Sequence, residues 1–182
     1  MHPEDTVRLE RSSLNPLLGL EELLEDLDGG ENGFGGTPIY RGEMTLTEYL
    51  QHCCVMCNPE KVQPGRVPQT VFWVIDRENR VVGMVRMRHY LNDRLRDRGG
   101  HMGYFIKREK RGKGYGKEAL RQALVALRKL GEERALLTVD LDNQASISVI
   151  KANGSCLGSM GTDEHGKKFG HYWIALTTSR GS

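Results

Sequence analysis

The chain has 182 residues, with 26 lysines and arginines against 24 aspartates and glutamates, for a formal net charge of +2. That length suits one domain with a real core, since chains near this size bury about two-thirds of their unfolded surface, and the near-balance of charge offers no broad basic field for nucleic acid or a membrane. No apolar run reaches the ~20 residues that span a bilayer, and Met1 to Asp5 lacks the basic-then-apolar order of a secretory signal, so a cytoplasmic protein is expected.

Val7 to Arg11 reads as an opening strand, and Leu14 to Leu27 as a helix with apolar residues at helical spacing and acidic ones facing away. Residues 28–36, which include five glycines, are expected to form a mobile loop without regular structure. Thr45 to Cys57 reads as a second helix, with Thr45 or Thr47 as N-cap and Glu48 in the first turn. Three of the four cysteines, Cys53, Cys54 and Cys57, fall there, and with Cys156 alone elsewhere no second ligand pair at zinc spacing exists. Reduced structural thiols and no metal are therefore expected.

After Pro59, Pro64 and Pro68, the β-branched and aromatic run Thr70 to Ile75 and the segment Val81 to Tyr90 read as a hairpin around the polar turn Asp76 to Arg80. The basic stretch Arg86 to Arg98 reads mainly as solvated loop, with Asn92 to Arg98 leading to a strand over His101 to Ile106. Glu118 to Leu130 is expected to be a helix burying Leu120, Leu124, Leu127 and Leu130, capped by Gly131. Ala135 to Leu141 reads as a central strand, Asn143 as the head of a helix carrying Ile147, Val149 and Ile150, and Lys168 to Thr177 as a closing antiparallel strand. Nothing repeats, and the expected fold is one α+β domain over residues 1–182 with a mixed, mostly antiparallel sheet of about six to seven strands flanked by helices.

The junction Lys110-Arg111-Gly112-Lys113-Gly114-Tyr115-Gly116-Lys117 carries the chemistry. Glycines let backbone N–H groups converge without Cβ obstruction, and the following helix adds its positive end, which together make an anion site for phosphate. A Walker A loop would need a glycine where Arg111 stands and Ser or Thr where Glu118 stands. The dinucleotide fingerprint needs two residues between its later glycines, and only Tyr115 separates Gly114 from Gly116. A nucleotide-binding phosphate enzyme is thus a distant reading.

Arg111-Gly112-Lys113-Gly114-Tyr115-Gly116, with its strand before and helix after, resembles the Gln/Arg-x-x-Gly-x-Gly/Ala signature of the GNAT family of N-acetyltransferases. The likeness extends over roughly residues 70 to 176, through Asn143 with Ser146 three residues on and the turn Asn153-Gly154 into a further strand. It implies acetyl-CoA as cosubstrate, with Arg111, Gly112, Lys113, Gly114, Tyr115, Gly116 and Lys117 at its pyrophosphate, Phe105, Ile106 and Lys107 along its pantetheine, and Asn143 and Ser146 near the sulfur. It also implies a splay between two central strands, an acceptor-side part over residues 1–68, a cofactor-binding core over 69–176 and a tail over 177–182. For Asn143, a plain helix N-cap is the competing reading.

The implied reaction is attack of a neutral primary amine, on a small molecule or a peptide, on the thioester. It needs a base, an oxyanion donor and a proton for the leaving sulfur. A backbone N–H near Ile106 would be the donor, while His101, Tyr104, Asp140 and His171 are the candidate bases. The position where many family members carry the acid Tyr holds Ile150. That gap keeps a second reading in play, a non-catalytic coenzyme-A-binding sensor or partner module; the acceptor's identity and a homodimer both stay open.

Overall fold

The computed structural model describes residues 6–176; Met1 to Asp5, the Thr177 end of the closing strand and the tail 177–182 lie outside the described residues. In chain order the elements are β1 (Arg8–Arg11), α1 (Leu20–Leu27), β2 (Gly30–Glu31), β3 (Phe34–Gly35), α2 (Leu46–Met56), β4 (Gln69–Ile75), β5 (Val81–Arg88), α3 (Asp93–Asp97), β6 (Met102–Ile106), α4 (Tyr115–Lys129), β7 (Arg134–Asp140), α5 (Gln144–Ala152), β8 (Cys156–Thr162) and β9 (Lys168–Ala175). Seven strands form two ladders, β1-β4-β5-β6 and β7-β9-β8, antiparallel at every pairing.

Strand alternation sends side chains to two cores. Val71, Trp73 and Ile75 meet Leu20, Leu23 and Leu27 of α1 and Leu50 of α2 on one face. Val74, Val82 and Val85 meet Ala119, Leu120, Ala123 and Leu127 of α4 on the other, where Ala135 and Leu137 of β7 join them. Leu120 and Leu127 are fully buried, each contributing about 1.5–3 kcal/mol through removal from water.

The two ladders touch where the His101 N–H donates to the Leu136 carbonyl at 2.7 Å, and beyond that junction β6 and β7 part. The expected splay is therefore present. Its open edge follows from the β5–β6 register. Lys107 N–H bonds Val82 O and Arg88 N–H bonds His101 O, so the odd-numbered residues of β6 turn their backbone groups toward β5. Tyr104 and Ile106 consequently turn theirs into the splay.

Four local expectations change. The first helix begins at Leu20, because Gly19 sits at φ 86° and Leu14 and Leu18 are exposed despite their helical spacing. Residues 28–36 contain the hairpin β2–β3, turned by Asn32 and Gly33, whose positive φ values of 48° and 82° are those a tight two-residue hairpin turn requires. The loop Asn92–Arg98 holds α3, capped by the Asn92 side chain accepting from Leu95 N–H at 3.0 Å. Helix α4 starts three residues early, at Tyr115, and leaves Leu130 half exposed at its end. The second helix is as expected, with Thr45 and Glu48 forming a reciprocal capping box. The four cysteines are free thiols, and no helix among the described residues is long and apolar enough to cross a membrane.

Candidate active site

The cradle is local in origin. Gly112 and Gly114 adopt φ of 74° and 78°, a left-handed backbone that costs other residues strain, and this bends the chain so that Gly114 opens α4. Among the described residues the N–H groups of Gly112, Lys113 and Gly114 take no backbone acceptor, and those of 115–117 belong to the first turn of α4, where an α-helix supplies none. A row of free amides at a helix N-terminus is an anion site. Arg111 stands beside it but turns back, its Nε donating to Ile106 O at 2.9 Å and its guanidinium pairing with Glu31. Its contribution is to tie the loop to the end of β6.

From the cradle a cavity of about 330 Å³ runs along α4 and α5 to the splay, lined by Gly112 and Gly114 of the cradle, by Gly116, and by Tyr104, Asn143 and Ser146. There it meets a second chamber of about 190 Å³, reached past Tyr104, Asn143 and Ser146 and walled by β5, β6 and β7. A Cβ on Gly116 would sit 3.6 Å from Tyr104, 3.7 Å from Ile106 and 3.8 Å from Val149, ordinary contact distances, so an alanine fits at this waist while a larger side chain would enter the passage.

Of the residues expected at the cofactor, Tyr115, Gly116, Lys117, Phe105, Ile106, Asn143 and Ser146 line the first chamber, along with Arg111, Gly112 and Gly114. Lys107 and Lys113 do not; Lys107 pairs with Glu109 at 3.3 Å and Lys113 is exposed. Asn143 is the N-cap of α5, as its competing reading held, accepting from Ser146 N–H at 3.2 Å and donating to the Ser146 hydroxyl at 3.1 Å. It also fronts both chambers, so capping places its carboxamide in the passage.

The base candidates separate sharply. His101 is buried, its Nδ1 accepting from Leu136 N–H at 2.9 Å and its Nε2 3.2 Å from Glu132, and it lines neither chamber. Burial lowers its pKa, with Glu132 opposing. Nδ1 ties the start of β6 to β7 and Nε2 is taken by Glu132 ahead of β7, which leaves neither nitrogen for an amine. His171 lies outside both chambers too, bonded to Ser159 at 3.1 Å and to the Asp97 carbonyl at 2.6 Å. Asp140 does face the second chamber, yet Arg98 at 2.8 Å and Lys167 at 2.9 Å claim its two oxygens. Burial alone would raise its pKa, but the Lys167 and Arg98 hydrogen bonds win and hold it below the usual carboxylate range, a poor base.

Tyr104 is different. Its hydroxyl is buried without a hydrogen-bond partner at the meeting of the chambers, and burial raises its pKa to about 12, with the neighbouring Ser146 hydroxyl opposing. A phenol so placed is a proton donor at neutral pH, since its anion is strongly disfavoured. An orphaned buried hydroxyl and a row of unbonded amides at opposite ends of one passage are the features that a long anionic ligand with a reactive tip would satisfy.

Sequence reasoning missed the roof. Glu31, Asn32 and Phe34 of the β2–β3 hairpin line the first chamber, and Phe34 stacks on Phe105 with ring centroids 6.3 Å apart. Glu31 and Asp26 hold Arg108, and Glu31 also holds Arg111, which pins the hairpin to the phosphate loop. The Asn32-Gly33 dipeptide was the available signal for it.

The family model described as an acetyltransferase (GNAT) domain matches residues 39–155, well over half of the chain. No curated protein matches the sequence. The fold is similar to that of mutant forms of the spermidine/spermine N-acetyltransferase SpeG from Vibrio cholerae, at 15% identity and TM-score 0.65 over 94% of this chain and 95% of that one. It is also similar to a GNAT-family acetyltransferase from Streptococcus pneumoniae, at 14% identity and TM-score 0.63 over 94% of this chain and all of that one.

Proposed function

This chain belongs to the GNAT family of acetyltransferases, and from that premise we propose that it moves the acetyl group of acetyl-CoA onto a primary amine of a small molecule or peptide by direct attack. One observation carries the reading: a single passage joins the free amides of the Gly112–Lys117 cradle to the buried, unpartnered Tyr104 hydroxyl in the splay.

Acetyl-CoA supplies an activated acyl carbon. The amides of residues 112–117 hold its diphosphate, with Lys117 at the rim, and the open edge of β6 takes its arm as an added strand would be taken. One of the N–H groups of Tyr104 and Ile106, both fixed by the sheet and aimed into the splay, donates to the oxygen on which charge develops. Tyr104 gives its proton to the departing sulfur, filling from β6 the role that Ile150 leaves empty on α5. Asn143 holds the Ser146 hydroxyl, which stands next to that of Tyr104 on the α5 side. With Asp140 neutralised by Lys167 and Arg98, solvent takes the proton that the amine loses and returns one to the Tyr104 phenolate, which closes the cycle.

Calorimetry with acetyl-CoA, followed by a DTNB assay of thiol release across a panel of amines, tests this. Binding with amine-dependent thiol release is expected; absence of heat on titration with acetyl-CoA would sink it.

A further inference from the structure

The chamber on the far side of Tyr104 is the place an acceptor must occupy if the proposed reaction holds, and the inference that follows rests on that reading. Its charge is one-sided. Arg86 and Arg88, two apart on β5, project from the same face, and both line this chamber together with Arg98 and Asp140. Asp140 is committed to Arg98 and Lys167. Neither Arg86 nor Arg88 has a carboxylate partner among the described residues.

What holds these two guanidiniums is carbonyl and aromatic, not acidic. Arg86 Nη1 donates to Gly35 O at 2.7 Å, and its guanidinium stands 4.2 Å over the Phe34 ring. Gly103, opposite Arg86 in the β5–β6 register, leaves space for that ring; a Cβ there would come within 3.0 Å of it. Arg88 Nη1 donates to Gly99 O and Gly100 O, each at 3.1 Å, and no bond to its Nε or Nη2 is made among the described residues. Burial, then repulsion from Arg86 and Arg94, lowers the Arg88 pKa.

Half-buried like charges without a counter-ion are costly, and folded proteins pair or neutralise them. A guanidinium anchored through one nitrogen and open at its other edge matches an oxyanion that accepts two parallel hydrogen bonds. We infer that the acceptor amine carries an anionic group, a carboxylate or a phosphate, which Arg88 grips with Arg86 beside it while the amino group lies toward Tyr104. Polyamines are the opposite case. A cationic chain would meet Arg86, Arg88 and Arg98 with only an already paired Asp140 to welcome it.

The test uses the full-length protein with acetyl-CoA and matched amines: ethanolamine, serine, which adds a carboxylate to it, phosphoethanolamine, which adds a phosphate, and spermidine. Serine or phosphoethanolamine should exceed ethanolamine in kcat/KM by about tenfold or more, and which of the two does so tells carboxylate from phosphate. Arg88→Met should collapse that ratio toward one with acetyl-CoA affinity retained, and Arg88→Lys should restore part of it. Equal or better use of ethanolamine or spermidine, or an unchanged ratio in Arg88→Met, overturns the inference while leaving the acetyltransferase reading standing. If none of the four amines reacts, calorimetry of malonate and inorganic phosphate with the coenzyme-A-bound protein decides: heat that Arg88→Met and Arg86→Gln abolish supports the anion site, and no heat with either anion overturns it. Failure to bind acetyl-CoA at all would strike the underlying reading instead.

Discussion

Replacing Tyr104 by Phe should move stability and catalysis in opposite directions. The hydroxyl is buried and unpartnered, and a buried polar group left unsatisfied costs about 1–3 kcal/mol, so its removal should leave the fold as stable or raise it by about 1 kcal/mol. For a domain of this size that is a rise of roughly 2–4 °C in Tm. Ser146 keeps its bond from Asn143, so nothing new is orphaned there. If the phenol protonates the leaving sulfur, kcat should fall by about 10²–10⁴, the usual range for a positioned acid and about 3–5 kcal/mol of barrier, with acetyl-CoA affinity unchanged. Steady-state thiol release, calorimetry with acetyl-CoA and a thermal melt read the three quantities separately. A variant as stable as the parent whose kcat stays within about threefold would refute the assignment.

At Gly116, Ala should fit at ordinary contact distance and favour the helix by up to about 1 kcal/mol, whereas Gly116→Val should block the waist of the passage and cut acetyl-CoA affinity about tenfold or more; equal affinities by calorimetry would place the arm elsewhere. His101 is held neutral by burial, so the unfolded chain takes up a proton near pH 6.5 that the folded one refuses, and stability should be full above that pH and fall as pH drops below it. His101→Gln should lose about 1–3 kcal/mol at pH 8 by weakening the acceptor for Leu136 N–H, flatten that acid dependence in thermal melts, and leave the shape of the pH–rate profile unchanged; disappearance of an acid limb from the profile would restore His101 as base. Asn143→Ala should cost about 1 kcal/mol as a lost cap, and a kcat loss beyond tenfold in a variant still folded would reveal a further role at the passage.

What could be read from the sequence was what local chemistry dictates. Gly112 and Gly114 occupy positive φ because the turn into α4 demands it, and such demands show in residue type alone. Thr45 and Glu48 announced their capping box for the same reason. Partners far apart in sequence were opaque. Nothing near His101 says that its ring will reach Leu136 and Glu132, more than thirty residues on, and so stitch two ladders rather than serve an amine. Arg86 and Arg88 belonged to a basic stretch that reads as solvated, yet strand periodicity sets both on one face and the splay makes that face the wall of a chamber. The hairpin at Gly30–Gly35 was masked by its own glycines, although Asn32-Gly33 is a strong turn signal, because its role emerges only when Glu31 meets Arg108 and Arg111. Helix spacing misled at Leu14 and Leu18, where Gly19 interrupts the pattern.

The central claim is that one passage carries a diphosphate at the amides of 112–117 and a thioester at the open edge of β6. A crystal structure of the protein with acetyl-CoA tests it most directly: the diphosphate should accept from those amides, and the thioester oxygen should lie within about 3 Å of the N–H of Tyr104 or Ile106, with sulfur facing the Tyr104 hydroxyl. A diphosphate bound away from Gly112–Lys117, or a thioester outside the splay, would contradict it.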